Sequence, residues 1–351
     1  MKKIFNKMAK TPQPARFSTT SCKSESDIIN VIYLAPISAQ KGGGISGGMK
    51  VIYRHSTLIN ELFDKTTQSA ILHAENMSFS CKWFQHNARI KKNMVFNPSN
   101  DFIIIPEFWA ERYAPQCKAK NISYAIFVQG GYLFGMFNND NTDKVYRQAE
   151  FIITISDDAT ECCKLAFPEM SNKIFRIHYH IDSEKFDTLQ IEKQNIITYM
   201  PRRLQKHSNI TLFFLKRHLP SHWKVTPIQD MNELEVANLL KQSKIFLSFS
   251  ELEGLGLPPI EAALSGNKVI GYTGEGGKEY WNPPIFSEIM MGDIKSYVKA
   301  ILSEIDRMEQ GHGYIPDQTA INNLNTMYSA ETEKQDLQHM VTTISDVFSS
   351  K

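Results

Sequence analysis

Two glutamates, Glu253 and Glu261, have seven residues between them, Gly254-Leu255-Gly256-Leu257-Pro258-Pro259-Ile260. Prolines suit a first helical turn, where their missing N–H groups would be unpaired anyway. A helix N-terminus offers free N–H groups and partial positive charge, and so attracts phosphate. Carboxylates repel phosphate, but each can accept two hydrogen bonds from a vicinal diol. A glycine turn opening a helix between two glutamates therefore suits a diphosphate flanked by two sugars, that is, a nucleotide-sugar. A basic cluster, Arg202, Arg203 and Lys206, lies earlier in the same half of the chain. Arg binds phosphate through two parallel hydrogen bonds and Lys acts as a point charge, so this cluster can neutralise a leaving diphosphate. Alone, either feature reads as a solvated charged loop; together they favour the ligand.

These residues need a scaffold. The apolar runs Lys244–Leu247 and Lys268–Tyr272 flank the glutamate stretch as buried strands, and Gly266 suits the end of the helix between them. Ile196–Met200 is the strand before the basic cluster. A capped helix through Asp230–Lys241, with Leu234, Leu239 and Leu240 inward, leads into the strand before the glutamates. A helix over Asp293–Arg307 carries Tyr297, Ile301 and Ile305 on one face, and a last helix runs from Ala330 to Phe348. In the first half, Ile28–Leu34 is a strand, followed by a glycine loop containing Gly44 and Gly47 and a helical pattern through Val51, Leu58, Ile59, Leu62 and Phe63. Strands follow at Ser69–Leu72, Asp101–Ile105, Tyr124–Val128 and Phe151–Ile155. Short strands separated by helix-sized segments predict a mainly parallel sheet, whose active groups stand past the carboxyl ends of its strands. Glu107 occupies one such place, and Gln129 and Tyr132 another. His178 and His180 would share a strand face but lack a third ligand, so no metal site is read. The chain contains no Asp-x-Asp.

The stretch Ser248–Gly266, with its continuation Gly271-Tyr272-Thr273-Gly274-Glu275-Gly276-Gly277-Lys278-Glu279-Tyr280, resembles the donor-site signature of bacterial retaining glycosyltransferases of GT-B fold similar to family 4. Leu255 stands where that signature usually has Phe. The resemblance implies an α/β protein with two Rossmann-like domains facing an interdomain cleft. Its parts would be a mobile basic tail (residues 1–26), an acceptor domain (27–185), a nucleotide-sugar domain (186–328) and a C-terminal helix (329–351) crossing back to the first domain. It implies transfer of a sugar from a nucleoside-diphosphate donor to a hydroxyl of a glycan or lipid-linked acceptor, in cell-surface polysaccharide or lipopolysaccharide synthesis. Retention, metal independence and the lack of any cofactor belong to the same expectation. It places Glu253 on the transferred sugar, Glu261 on the ribose, and an Arg and a Lys on the diphosphate; Arg202 and Arg203 both fit beside Lys206. The donor site would further comprise Gly254, Gly256, Leu257 and Pro258, with Gly44 and Gly47 in a loop facing the cleft. Gln129, Tyr132 and Glu107 are acceptor candidates. A catalytic base is not assigned among His55, His73 and His86. Two alternatives remain, a nucleotide-sugar epimerase of the same fold and a non-catalytic nucleotide-sugar or glycan binder.

Composition bounds these readings. The 351 residues suffice for two domains, and 42% hydrophobic content supports real cores. A net charge of +2 gives no case for a nucleic-acid binder. Five cysteines without a C-x-x-C pair fit a reducing compartment. No run of 18 apolar residues appears. The expected location is cytoplasmic, at the inner membrane face, with the basic tail making weak contact with anionic lipid.

Overall fold

The structure, a computed structural model, describes residues 16–20, 28–37, 47–81, 84–136, 138–187 and 192–350. The chain divides into two compact units. One comprises residues 1–154, 160–177 and 334–351; the other comprises 155–159 and 178–333.

The first unit holds a six-stranded sheet in the order β3-β2-β5-β6-β7-β8. Its strands are β2 (Ile29–Leu34), β3 (Thr67–Leu72), β5 (Asp101–Pro106), β6 (Ser123–Val128), β7 (Ile152–Thr154) and β8 (Ile174–Arg176). All its pairings are parallel. Every residue of β5 and β6 is buried. That explains their near-continuous apolar sequences, since a parallel sheet is covered on both faces. Strand order reverses between β2 and β5, the place where open α/β sheets bind ligands. The helix Gly47–Phe63 covers part of this sheet and buries Val51, Ile52, Leu58 and Ile59. Leu62 lies outside that buried face, at 41% exposure.

The helix Ala330–Ser349 belongs, from Lys334 onward, to this first unit. It buries Leu337, Met340 and Ile344, its His339 ring packs edge-on against Phe175, and Phe348 meets Phe102. The expected loose tail needs correction at residues 16–20. Phe17 is buried and stacked on Tyr113. A short strand β1 (Ser18–Thr19) pairs with β4 (Val95–Phe96). The aromatic ring outweighs the polar composition around it. The rest of the tail lies outside the described residues.

The second unit holds a five-stranded sheet in the order β10-β9-β11-β12-β13. These are β9 (Gln194–Tyr199), β10 (Lys224–Pro227), β11 (Ser243–Glu253), β12 (Lys268–Glu275) and β13 (Phe286–Glu288), again all parallel. Its order reverses between β9 and β11. Ile197, Ile245, Leu247, Phe249 and Ile270 form its core with Tyr297, Ile301 and Ile305 of the helix Ile294–Glu309. The helix Glu233–Gln242 starts in a capping box made by Asn232 and Glu235, and Leu234 is 64% exposed rather than inward. Behind the sheet, Lys193 donates from Nζ to the carbonyls of Leu240, Ser243 and Ser265. Burial lowers its ammonium to about 7. Two of these carbonyls end helices, where a cation is favoured.

Candidate functional site

The glutamate stretch is built by β11 and the helix Leu257–Leu264. β11 runs on through a register shift to Glu253, so this glutamate is the strand's last residue rather than part of the loop. Gly256 then adopts φ 75° and caps the helix, with Pro258 in its first turn. A side chain at Gly256 would be strained, and its Cβ would stand 3.0 Å from the Tyr280 hydroxyl. Glu261 is the fifth residue of this helix, just past its first turn, and is half-buried.

Tyr280, which no local spacing marks as a site residue, fastens this turn. Its hydroxyl lies 3.1 Å from the Leu255 carbonyl and 2.7 Å from that of Gly256. Gly276 makes the approach possible, because a Cβ there would lie 2.2 Å from the Gly254 carbonyl. The Gly276-Gly277…Tyr280 spacing was visible in the sequence; that it braces a turn more than twenty residues earlier was not.

The basic cluster meets this turn. Arg203 Nη1 lies 2.8 Å from Glu253 Oε1, with the arginine half-exposed and the glutamate mostly buried. Burial raises the Glu253 carboxyl above its ordinary range, opposed by Arg203 and then by Arg202. Burial also lowers Arg202, with Arg203 repelling it and Glu253 favouring its charge. Arg202 and Arg203 thus stand beside Glu253 at the carboxyl ends of β9 and β11, next to the strand-order reversal. Lys206 is exposed in the first turn of the helix Gln205–Leu215. That helix is entered through Leu204 at φ 36°, an uncommon backbone state for a branched residue. Next to Lys206, His207 Nδ1 lies 3.2 Å from the Tyr272 hydroxyl.

In the first unit, Glu107 begins the helical turn after β5 and is buried. Burial lifts its carboxyl to about 8, despite N–H groups from its own residue, Gln129 and Gly130 that favour the charged form. It is a neutral acid at pH 7, and its Oε2 has no hydrogen-bond partner among the described residues. Gln129, after β6, donates from Nε2 to the Gly48 carbonyl at 3.0 Å. Tyr132, half-buried, follows in the turn before the short helix Leu133–Met136. Gly47 is the first residue of its helix, and Gly44 lies outside the described residues. His73 is buried with Nε2 2.7 Å from the Tyr53 hydroxyl and Nδ1 close to two carbonyls, a structural role. Burial pushes His55 down to about 3, so it is neutral in a stack on Phe127.

His178 and His180 are not on a strand, and His180 Nδ1 lies 3.1 Å from the Tyr328 carbonyl. Among the described residues no group of three His, Cys, Asp or Glu is placed to hold a metal ion. Among the same residues no helix is long and apolar enough to cross a membrane.

No family model matches the chain. A curated α-1,6-glucosyltransferase of Actinobacillus pleuropneumoniae is 47% identical over 47 residues, 13% of this chain and 14% of that protein. Solved structures match far more broadly. A sucrose-phosphate synthase of Thermosynechococcus elongatus aligns with a TM-score of 0.68 at 10% identity, covering 92% of this chain and all of that one. HepE of Anabaena, solved with UDP and glucose, aligns at 0.65 and 11% identity over 90% of this chain and all of its own. The lipopolysaccharide outer core galactosyltransferase WaaB aligns at 0.61 and 12% identity over 91% of this chain and 99% of that one. At such identities the likeness speaks for architecture, and the chain has the GT-B fold of these glycosyltransferases, two Rossmann-like parallel-sheet units.

Proposed function

We propose that the chain is a glycosyltransferase. It moves a sugar from a nucleoside-diphosphate donor to a hydroxyl of a glycan or lipid-linked acceptor, with retention and without a metal, in cell-surface polysaccharide or lipopolysaccharide synthesis. The observation that carries this reading is the Arg203–Glu253 pair on a glycine turn at the strand-order reversal of the second unit. Arg202, Arg203, Lys206 and the backbone around Gly254, Gly256, Leu257 and Pro258 bind the diphosphate. Glu261 holds the ribose and Glu253 the transferred sugar. Without donor, Arg203 occupies Glu253. A diphosphate carries more charge than one carboxylate and draws the guanidinium away, which frees Glu253 to face the sugar and stabilise positive charge at its anomeric carbon. In the first unit Glu107, Gln129 and Tyr132 take the acceptor. Cys81, Cys117, Cys162 and Cys163 are in no disulfide, which supports a reducing, cytoplasmic setting, at the membrane's inner face where a lipid-linked acceptor lies.

A melting-temperature screen with UDP-, GDP- and dTDP-sugars tests this reading, beginning with UDP-glucose because of the curated glucosyltransferase and the UDP-bound neighbour. One donor class should stabilise the chain, by about 2.7 kcal/mol at a hundredfold excess over Kd. No response to any nucleotide-sugar would remove the basis of the proposal. Product analysis with and without an acceptor separates transfer from donor epimerisation.

A further inference from the structure

One buried carboxyl links the ends of several elements in the first unit. Glu107 follows β5, and the N–H groups of its own residue, Gln129 and Gly130 lie against its carboxyl. Its Oε2 has no hydrogen-bond partner among the described residues, so these N–H groups fall on Oε1. Gln129, just past β6, passes the link on, because its Nε2 donates to the Gly48 carbonyl at 3.0 Å. Gly48 lies in the first turn of the helix Gly47–Phe63. The approach is close: a Cβ on Gly48 would stand 2.6 Å from Gln129 Oε1. Glu107 thus holds the backbone after β6 and, through one amide, the start of the helix that comes after β2. The sheet order reverses between β2 and β5.

A brace alone does not call for a carboxyl. A Gln side chain would accept the same N–H groups without an ionisable proton. The titratable groups facing Glu107 are Tyr146, on the helix Thr142–Arg147, and Cys163, on the helix Asp157–Ala166. Glu111, on the helix Ala110–Ala119, acts on Tyr146 in turn. None of these is a cation, and what favours a charged Glu107 is the backbone N–H groups. The Tyr146 hydroxyl is buried and, like Glu107 Oε2, has no hydrogen-bond partner among the described residues. Orphaned buried polar atoms cost stability rather than add it, so a fold that needed only a brace would not carry them. With Oε1 taken up by N–H groups, the acid keeps its proton on Oε2 while the turn stays shut over it. We propose that Glu107 is the positioning residue of the turn Gln129–Tyr132: it holds this turn and, through Gln129, the start of the helix Gly47–Phe63. That the turn serves an acceptor rests on the transfer reaction proposed above; the positioning itself does not.

The test is amide hydrogen exchange of the full chain, read by mass spectrometry over residues 128–133 and divided by the rate of an unstructured peptide at the same pH. With the turn closed, Glu107 keeps its proton up to about pH 8; with the turn open, only to about pH 4.5. Between those values opening releases a proton. The open population should therefore rise about tenfold per pH unit and level off above about pH 8. Strands β9 and β11 of the second unit should show no such slope. Glu107→Gln keeps the acceptor for the N–H groups and has no proton to release. It should stay, at every pH, as closed as the parent is at about pH 4.5. A carboxyl that merely filled space would give the parent no slope. Glu107→Ala should be more open than Glu107→Gln by about tenfold at every pH. Gly48→Ala pushes the Gln129 amide aside and should loosen residues 51–53 while the slope at 128–133 persists. A flat ratio in the parent overturns the proposal, as does an equal slope in Glu107→Gln, or a Glu107→Ala chain as protected as the parent. Should Glu107→Ala not fold, the comparison with Glu107→Gln decides alone. A slope found alongside a failed nucleotide-sugar screen would remove the transfer reading and leave the positioning in place.

Discussion

At the residue scale, the two titratable groups that matter are both carboxyls pushed up by burial, but with different neighbours. Glu253 has guanidiniums beside it, and Glu107 has backbone N–H groups of its own residue, Gln129 and Gly130. Changing Glu253 to Ala should lower transfer by about a hundredfold or more, because a group placed for the transition state is lost while the fold is kept. Steady-state rates alongside an unchanged circular dichroism spectrum would check it. Glu107 makes a pH prediction. Its folded-state value of about 8 lies above the ordinary 4.5, so between those values the fold holds a proton that the unfolded chain has released. Its contribution to stability is complete below about pH 4.5 and is lost as pH rises through about 8, a span worth several kcal/mol. Glu107→Gln keeps the neutral shape without the titration. The variant should therefore gain on the wild type as pH rises and melt higher at about pH 9; equal melting curves at every pH would show that the carboxyl is solvated in the fold.

At the element scale, the glycine turn after Glu253 owes its shape to a second turn. Tyr280→Phe leaves the Leu255 and Gly256 carbonyls without their hydroxyl donor and should cost about 1–3 kcal/mol, with weaker donor binding. Chemical denaturation and a donor titration measure the two effects separately. The same scale shows what sequence could reveal. The strands of both sheets were readable because a parallel sheet buried on both faces leaves unbroken apolar runs, as in Phe102–Ile105 and Tyr124–Val128. The short edge strands β8, β10 and β13 lack such runs, and Phe17 is a single ring in a polar tail, so none of them carried a periodic signal. Glu253 and the glycine turn were legible because local spacing holds them, whereas the pairing of Arg203 rather than Arg202 with Glu253 was not. Tyr280 against Gly256 and the buried state of Glu107 depend on distant parts of the chain. Leu234 fails for a related reason: it lies in the first helical turn, beyond the reach of the core that takes Ala237 and Leu240.

At the scale of the whole molecule, the chain passes between its two units more than once, and the first unit ends with residues 334–351. Those residues supply Leu337, Met340 and Ile344 to its core, and the Tyr33 hydroxyl lies 3.8 Å from the Met340 sulfur. Deleting residues 334–351 should expose that apolar surface and cost several kcal/mol, enough to leave a marginal first unit open. Limited proteolysis should then cut the first unit while the second stays resistant. The same arrangement sets an order of events on the ribosome. Residues 178–333 can close the second unit as soon as they emerge. The first unit, although most of it is made earlier, waits for a segment translated after the whole of the second. Until that helix arrives, the surface it covers around Tyr33, Phe102 and Phe175 stays open to water and to other chains. During synthesis it is therefore the earlier-made half that depends most on chaperones.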